Sequence, residues 1–155
     1  MPKIPEIKNT KHLSLDFIAG FITDKGYFSW VTYKKNKQKV AIFQLQMSYK
    51  DKDLIFAIKN SLGLKESIYE YKYQDKNKPL LSRHYIKLLV RRRETIKKII
   101  IPTFEGRLHG LKQKQFNQWK QEFYEQEKKW KYNYIARIKI LDKNFGPRLM
   151  DIEKL

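Results

Sequence analysis

The stretch LSLDFIAGFITDKGYFSW, residues 13–30, decides how the rest of the chain is read. Its first half is apolar at helical spacing, and Ser14 or Asp16 supplies an N-cap. A helix is therefore predicted to run to about Asp24, with Gly26 ending it. From Tyr27 to Lys34 the period changes to two, with Tyr27, Ser29, Val31 and Tyr33 on one face and Phe28 and Trp30 on the other. Thr23, Asp24 and Lys25 fall where the helix hands over to this strand.

Outward from that junction the alternation continues. KKNKQK (Lys34 to Lys39) is a turn, and Val40 to Tyr49 is a second strand, with Phe43, Leu45 and Met47 facing one way and Gln44, Gln46 and Ser48 the other. Asp51 is placed to cap a helix whose Leu54, Ile55 and Ile58 form an apolar stripe, stopped by Gly63. Ser67 to Tyr73 and His84 to Val90 read as two further strands around the loop QDKNKPLLSR. A helix is predicted from Arg92 to about Ile101, closed by Pro102. Another starts near Leu111 and carries Phe116, Trp119 and Phe123 at helical spacing. The expected architecture is α+β: a four-stranded antiparallel sheet with helices on one face (αββαββα) and a C-terminal extension. Residues 1–11 form an N-terminal arm, 12–125 the folded domain, and 126–155 a basic aromatic extension expected to order on a partner.

Composition narrows the partner. The chain has 155 residues and 18.9 kDa, and its net charge is +18, from 34 Lys plus Arg against 16 Asp plus Glu. Self-repulsion on that scale calls for an anionic partner, and the 14% aromatic share favours nucleic acid. A membrane partner would need an amphipathic anchor or a long apolar span, and the sequence offers neither. Without cysteine, disulfides and thiolate metal sites are excluded. MPKIPEIKNT carries no secretory or Arg-rich transit signal. The 27 lysines against seven arginines, with abundant Ile, Asn, Tyr and Phe, fit AT-rich coding, for which organellar genomes are a common source.

Four segments in order carry a family resemblance: IAGFITDKG (Ile18 to Gly26), QLQMSYKDKDLIFAIKNSLG (Gln44 to Gly63), YIKLLVRRRETIKKIIIPTF (Tyr85 to Phe104) and RLHGLKQKQFNQW (Arg107 to Trp119). Together they resemble the LAGLIDADG homing endonucleases with one motif per chain. The resemblance implies that the first helix packs on a second copy or half through Ala19 and Gly20, small enough for two backbones to approach. It also implies that the free sheet face lies along a DNA major groove.

The resemblance implies a catalytic metal as well, held by the final acid of the nonapeptide. Here that position is Lys25, whose ammonium has no lone pair, and the earlier acidic position is Thr23. Asp24 lies about 100° around the helix from both. The polar residue ending the second strand is Tyr49, while Lys112 matches the basic residue that stabilises charge near the scissile phosphate. His12, His84 and His109 have no metal-site spacing.

The expectation is a catalytically inactive relative with no metal or other cofactor. Its binding residues are taken as Tyr27, Ser29, Tyr33, Gln44, Gln46, Ser48, Lys72 and Lys87 on the sheet. Around them lie Lys34, Lys35, Lys37, Lys39, Arg83, Arg91, Arg92, Arg93, Lys112 and Lys114, with Trp130 and Arg137 in the extension. The expected partner is structured RNA in an organellar ribonucleoprotein, with ribosomal RNA and neighbouring subunits of a mitochondrial ribosome foremost. The alternatives are a homodimeric DNA endonuclease, which would need duplex DNA and Mg²⁺, a group I intron maturase, and a DNA-binding repressor of its own gene.

Overall fold

The computed structural model describes residues 1–74, 76–77 and 82–145, with side chains described as far as Lys139. The middle of the predicted QDKNKPLLSR loop and the last ten residues of the predicted extension lie outside them.

The first helix, α1 (Leu15–Lys25), starts at Ser14, whose Oγ accepts the Phe17 N–H, and buries Ile18, Ala19 and Ile22. Gly26 follows in extended backbone, so its role is space and not left-handed turning. A Cβ there would sit 2.4 Å from Ile22 Cγ2, closer than real carbon contacts allow. The absence of a side chain lets β1 (Gly26–Thr32) leave the helix end directly. A hairpin leads to β2 (Lys39–Ser48), so β1 ends two residues before the predicted Lys34. Asn36 Oδ1 accepts the Gln38 N–H, and Lys37 takes the left-handed conformation at φ 51°.

A single 3₁₀ turn (Tyr49–Asp51) precedes α2 (Lys52–Leu62), which Gly63 terminates in the left-handed conformation at φ 72°. Asp51 occupies the cap position without making the side-chain cap bond. The buried surface of α2 is wider than the predicted stripe, adding Phe56, Ala57 and Lys59. Lys59 is 2% exposed and pairs with Glu6.

Next come β3 (Ile68–Tyr73) and β4 (Arg83–Val90), and all four strands form one antiparallel sheet in the order β1-β2-β4-β3. The N-terminal arm is part of this fold, since Lys3 bridges to Tyr69 on the outer edge of β3 and Ile4 is buried.

The helix predicted to stop at Pro102 continues through it. A short helical turn α3 (Arg93–Thr95) opens into a π-helical stretch, Ile96–Ile100, and resumes as α4 (Ile101–Phe104). Proline lacks an N–H and its ring clashes with the carbonyl four residues back. The wider π turn just before it accommodates both defects. On the inner face of the sheet Phe28 is the hub, with Phe43, Phe104, Phe116 and Trp119 at 5.1–6.0 Å between ring centroids.

The last helix, α5 (Gly110–Phe145), has 36 residues. The chain forms two compact units, Met1–Trp119 and Lys120–Leu155. The part of the predicted extension within the described residues is regular helix. No helix of the described residues is long and apolar enough to cross a membrane.

Candidate nucleic-acid interface

Strand alternation sends one set of side chains into the helices and leaves the other in solvent. Register aligns the outward set in rows across the sheet. Tyr27 stands opposite Gln44 and Gln44 opposite Leu89; Gln46 opposite Lys87 and Lys87 opposite Tyr69; Ser48 opposite Tyr85 and Tyr85 opposite Tyr71. Tyr27, Ser29, Gln44, Gln46, Ser48 and Lys87 thus share the open face, as predicted.

Lys72 does not. Period two couples it to Glu70 and to the fully buried Ile68, so it belongs to the helix side, opposite His84. There its ammonium lies 3.5 Å from Glu70, which also bonds His84 Nε2 at 2.6 Å. The His84 hydrogen bond, reinforced by Lys72, holds the Glu70 carboxyl below its ordinary value of 4.5. Four tyrosines escape the sequence reading: Tyr69, Tyr71 and Tyr85 on the open face, with Tyr73 following in the same period. Their signal was Ile68, which fixes the parity of YEYKY.

At the α1 end of this face, Asp24, Lys25, Tyr27, Ser29, Gln44 and Gln46 line one concavity. Lys25 keeps more than half of its side chain in solvent, 3.5 Å from Asp24. Thr23 is committed elsewhere. Its Oγ1 donates to Ala19 O at 2.8 Å and accepts from the His109 N–H at 3.3 Å, tying α1 to the loop before α5. Lys112 reaches the same corner, donating to Gly26 O with its ammonium 4.9 Å from the centre of the Tyr27 ring. Trp119 braces β1 from behind by donating Nε1–H to Ser29 O at 2.9 Å.

Tyr49, predicted to end the second strand, lies just past it. It sits in the 3₁₀ turn, stacked on His84 at 4.0 Å, and the β2 residues lining the concavity are Gln44 and Gln46. The predicted helix-packing pair also divides. Ala19 is 1% exposed inside its own domain, whereas Gly20 is open, beside Phe17 (48% exposed) and Phe21, whose rings stack at 6.4 Å.

A metal carried by the nonapeptide acids does not fit these residues. Lys25 offers only donors, the Thr23 hydroxyl is engaged on both sides, and Asp24 already faces an ammonium.

The cationic rim is at the other end of the sheet. Lys34, Lys35, Lys37 and Lys39 are exposed in the β1–β2 hairpin, and Arg91, Arg92 and Arg93 are exposed after β4. Arg91 is anchored by donating to Tyr33 Oη at 3.0 Å. Arg83 and Lys114 are exposed as well. In the second unit Trp130 is 59% exposed and stacks on Tyr134 at 5.5 Å, so it is not packed away as a core aromatic; Arg137 is exposed.

Known structures share this fold. I-GzeII, a LAGLIDADG homing endonuclease solved in complex with its DNA target, matches with TM-score 0.62 and 26% identity over 87% of this chain and 45% of its own. I-LtrWI, solved bound to target DNA, matches with TM-score 0.57 and 26% identity over 76% of this chain and 39% of its own. I-SmaMI, bound to uncleaved DNA in the presence of calcium ions, shares the fold at 22% identity and TM-score 0.59 over 81% of this chain and 41% of its own. The chain thus spans less than half the length of each of these relatives. Among curated proteins none matches. The family model for LAGLIDADG endonucleases matches residues 18–123, about two thirds of the chain, and to that family the chain belongs.

Proposed function

We propose that this protein binds duplex DNA with the open face of its sheet, one half-site per chain, and does not cut it. The observation that carries this is the concavity at the end of α1. Lys25 stands there with Tyr27, Ser29, Gln44 and Gln46, and a cation replaces the acid the nonapeptide would supply. An ammonium can hold a phosphate but cannot bind the metal that activates water. Gln44 and Gln46 present amides that pair with base edges in a major groove, while the hairpin lysines and Arg91 to Arg93 take backbone phosphates.

In this reading a full site takes two such units, and the second is another copy packed through Gly20, Phe17 and Phe21. Two Lys25 ammoniums then converge and repel, so the pair closes on DNA and not in free solution.

The experiment is selection of bound duplexes from a random DNA library by the whole protein, then light scattering with and without the selected duplex. A two-fold symmetric site, a monomer alone and a dimer on DNA are expected. No enrichment of any duplex would refute the reading, and reproducible Mg²⁺-dependent cleavage would refute its inactive half. Structured RNA in an organellar ribonucleoprotein, within a mitochondrion, is the second reading. It is favoured by the exposed Trp130–Tyr134 stack, a surface suited to unpaired bases. Preferential binding of RNA over the selected duplex in competition would exchange the two.

A further inference from the structure

The tyrosines of β3 and β4 do not serve duplex reading well. In a duplex the ring faces of the bases are stacked on one another, and only their edges reach the groove. Tyr71 and Tyr85 lie directly opposite on the open face with rings parallel to 2° and centroids 5.0 Å apart. Lys87 holds its ammonium 5.2 Å from the centre of the Tyr71 ring. Cross-strand stacking stabilises a sheet and accounts for this pair by itself. It does not account for Tyr73, the next tyrosine in the same period, which stays 58% exposed.

Nor does it account for the concavity that Tyr71, Tyr73 and Tyr85 form with Met1, Pro2 and the Glu70–Lys72 pair. The arm is fixed there by backbone bonds, with the Glu70 N–H donating to Pro2 O at 3.0 Å and the Ile4 N–H donating to Ile68 O at 2.9 Å. The result is a slot with aromatic walls on a chain of net charge +18. Lys72, paired with Glu70 at 3.5 Å, lies at its margin, and the exposed Arg83, opposite Tyr73 in the ladder, is the cation that faces a phosphate there. Flat aromatic walls with a cation at the rim match a nucleotide whose base is out of the helical stack, the ring going to the tyrosines and the phosphate to Arg83.

We infer that the slot between the β3–β4 tyrosines and the N-terminal arm binds an unpaired nucleobase, displaced from a duplex or presented by an RNA loop. This rests on the sheet face being a nucleic-acid surface, but not on duplex DNA being its ligand.

The test uses the whole protein and the fluorescent base 2-aminopurine in three probes: a fully paired DNA duplex, the same duplex with the base in a single-nucleotide bulge, and an RNA hairpin with the base in its loop. Stacking on tyrosine quenches the bulged or looped base and leaves the paired base unchanged. Tyr73→Ala, at an exposed strand end where folding is not at stake, is expected to abolish the quench. It should weaken that probe about tenfold while sparing the paired duplex. Quenching of the bulge alone identifies displaced DNA bases as the source, and quenching of the loop alone identifies RNA. Binding of all three probes without a quench, or equal weakening of all three by Tyr73→Ala, overturns the slot and leaves the duplex reading standing. Failure to bind any probe overturns both.

Discussion

Lys25→Glu is the substitution whose outcome separates a phosphate-holding site from a metal site. A lysine about 4 Å from a phosphate is attracted by about 4 kcal/mol at an effective dielectric of 20. More than half of the Lys25 side chain is in solvent, so screening reduces this to about 1 kcal/mol, or roughly fivefold in affinity per chain. Replacing the cation by a carboxylate removes that attraction and adds a repulsion of similar size. Duplex affinity in EDTA should therefore fall by about 2 kcal/mol, roughly thirtyfold, and the salt slope should shrink by about one phosphate's share.

Magnesium then acts with opposite sign on the two proteins. It competes with wild-type lysines for phosphate and weakens binding, whereas in Lys25→Glu it bridges the new carboxylate, beside Asp24, to phosphate oxygens and strengthens it. Fluorescence anisotropy with the selected duplex, in EDTA and in millimolar Mg²⁺, reads both effects. If Mg²⁺ tightened wild-type binding, or the wild type nicked the duplex, Asp24 or another carboxylate would be holding metal and the reasoning from Lys25 would be wrong.

Trp119→Phe keeps the aromatic cluster but leaves Ser29 O without its indole donor, so a loss of about 1–2 kcal/mol is expected in urea unfolding, and an unchanged midpoint would deny that bond a role. Gly26→Ala forces a methyl against Ile22 and should cost about 1–3 kcal/mol, measured the same way. Glu70 tests the sign of its shift. Because its folded pKa lies below 4.5, the charged form is favoured in the fold. Its contribution is complete at neutral pH, shrinks once the pH drops below the ordinary value, and vanishes below the folded pKa. The stability gap between wild type and Glu70→Gln should accordingly close as the pH falls from neutral to below the folded pKa, and a gap that widened would invert the assignment. Trp130→Ala should weaken RNA binding several-fold and leave the selected duplex untouched in a competition assay, since stacking needs an unpaired base.

The amino-acid sequence by itself determined the order of elements and the family. Helix and strand periods differ, and Phe28, Phe43, Leu45 and Ile68 mark inner faces that no register shift of one residue could preserve. It also determined that Lys25 stands where an acid is required, because that is a question of residue identity at a position within a motif. What the sequence could not resolve was which side chains are already occupied. Thr23 accepts from the His109 N–H, Lys112 donates to Gly26 and Arg91 donates to Tyr33, through contacts that join residues far apart in the chain. Lys72 was placed on the wrong face because its exposure at a strand end hides the parity set by Ile68. The helix past Pro102 was missed because a π turn absorbs the proline, and local propensity carries no record of that. The tyrosine slot needed the arm brought back beside β3, a long-range pairing that only the folded chain makes.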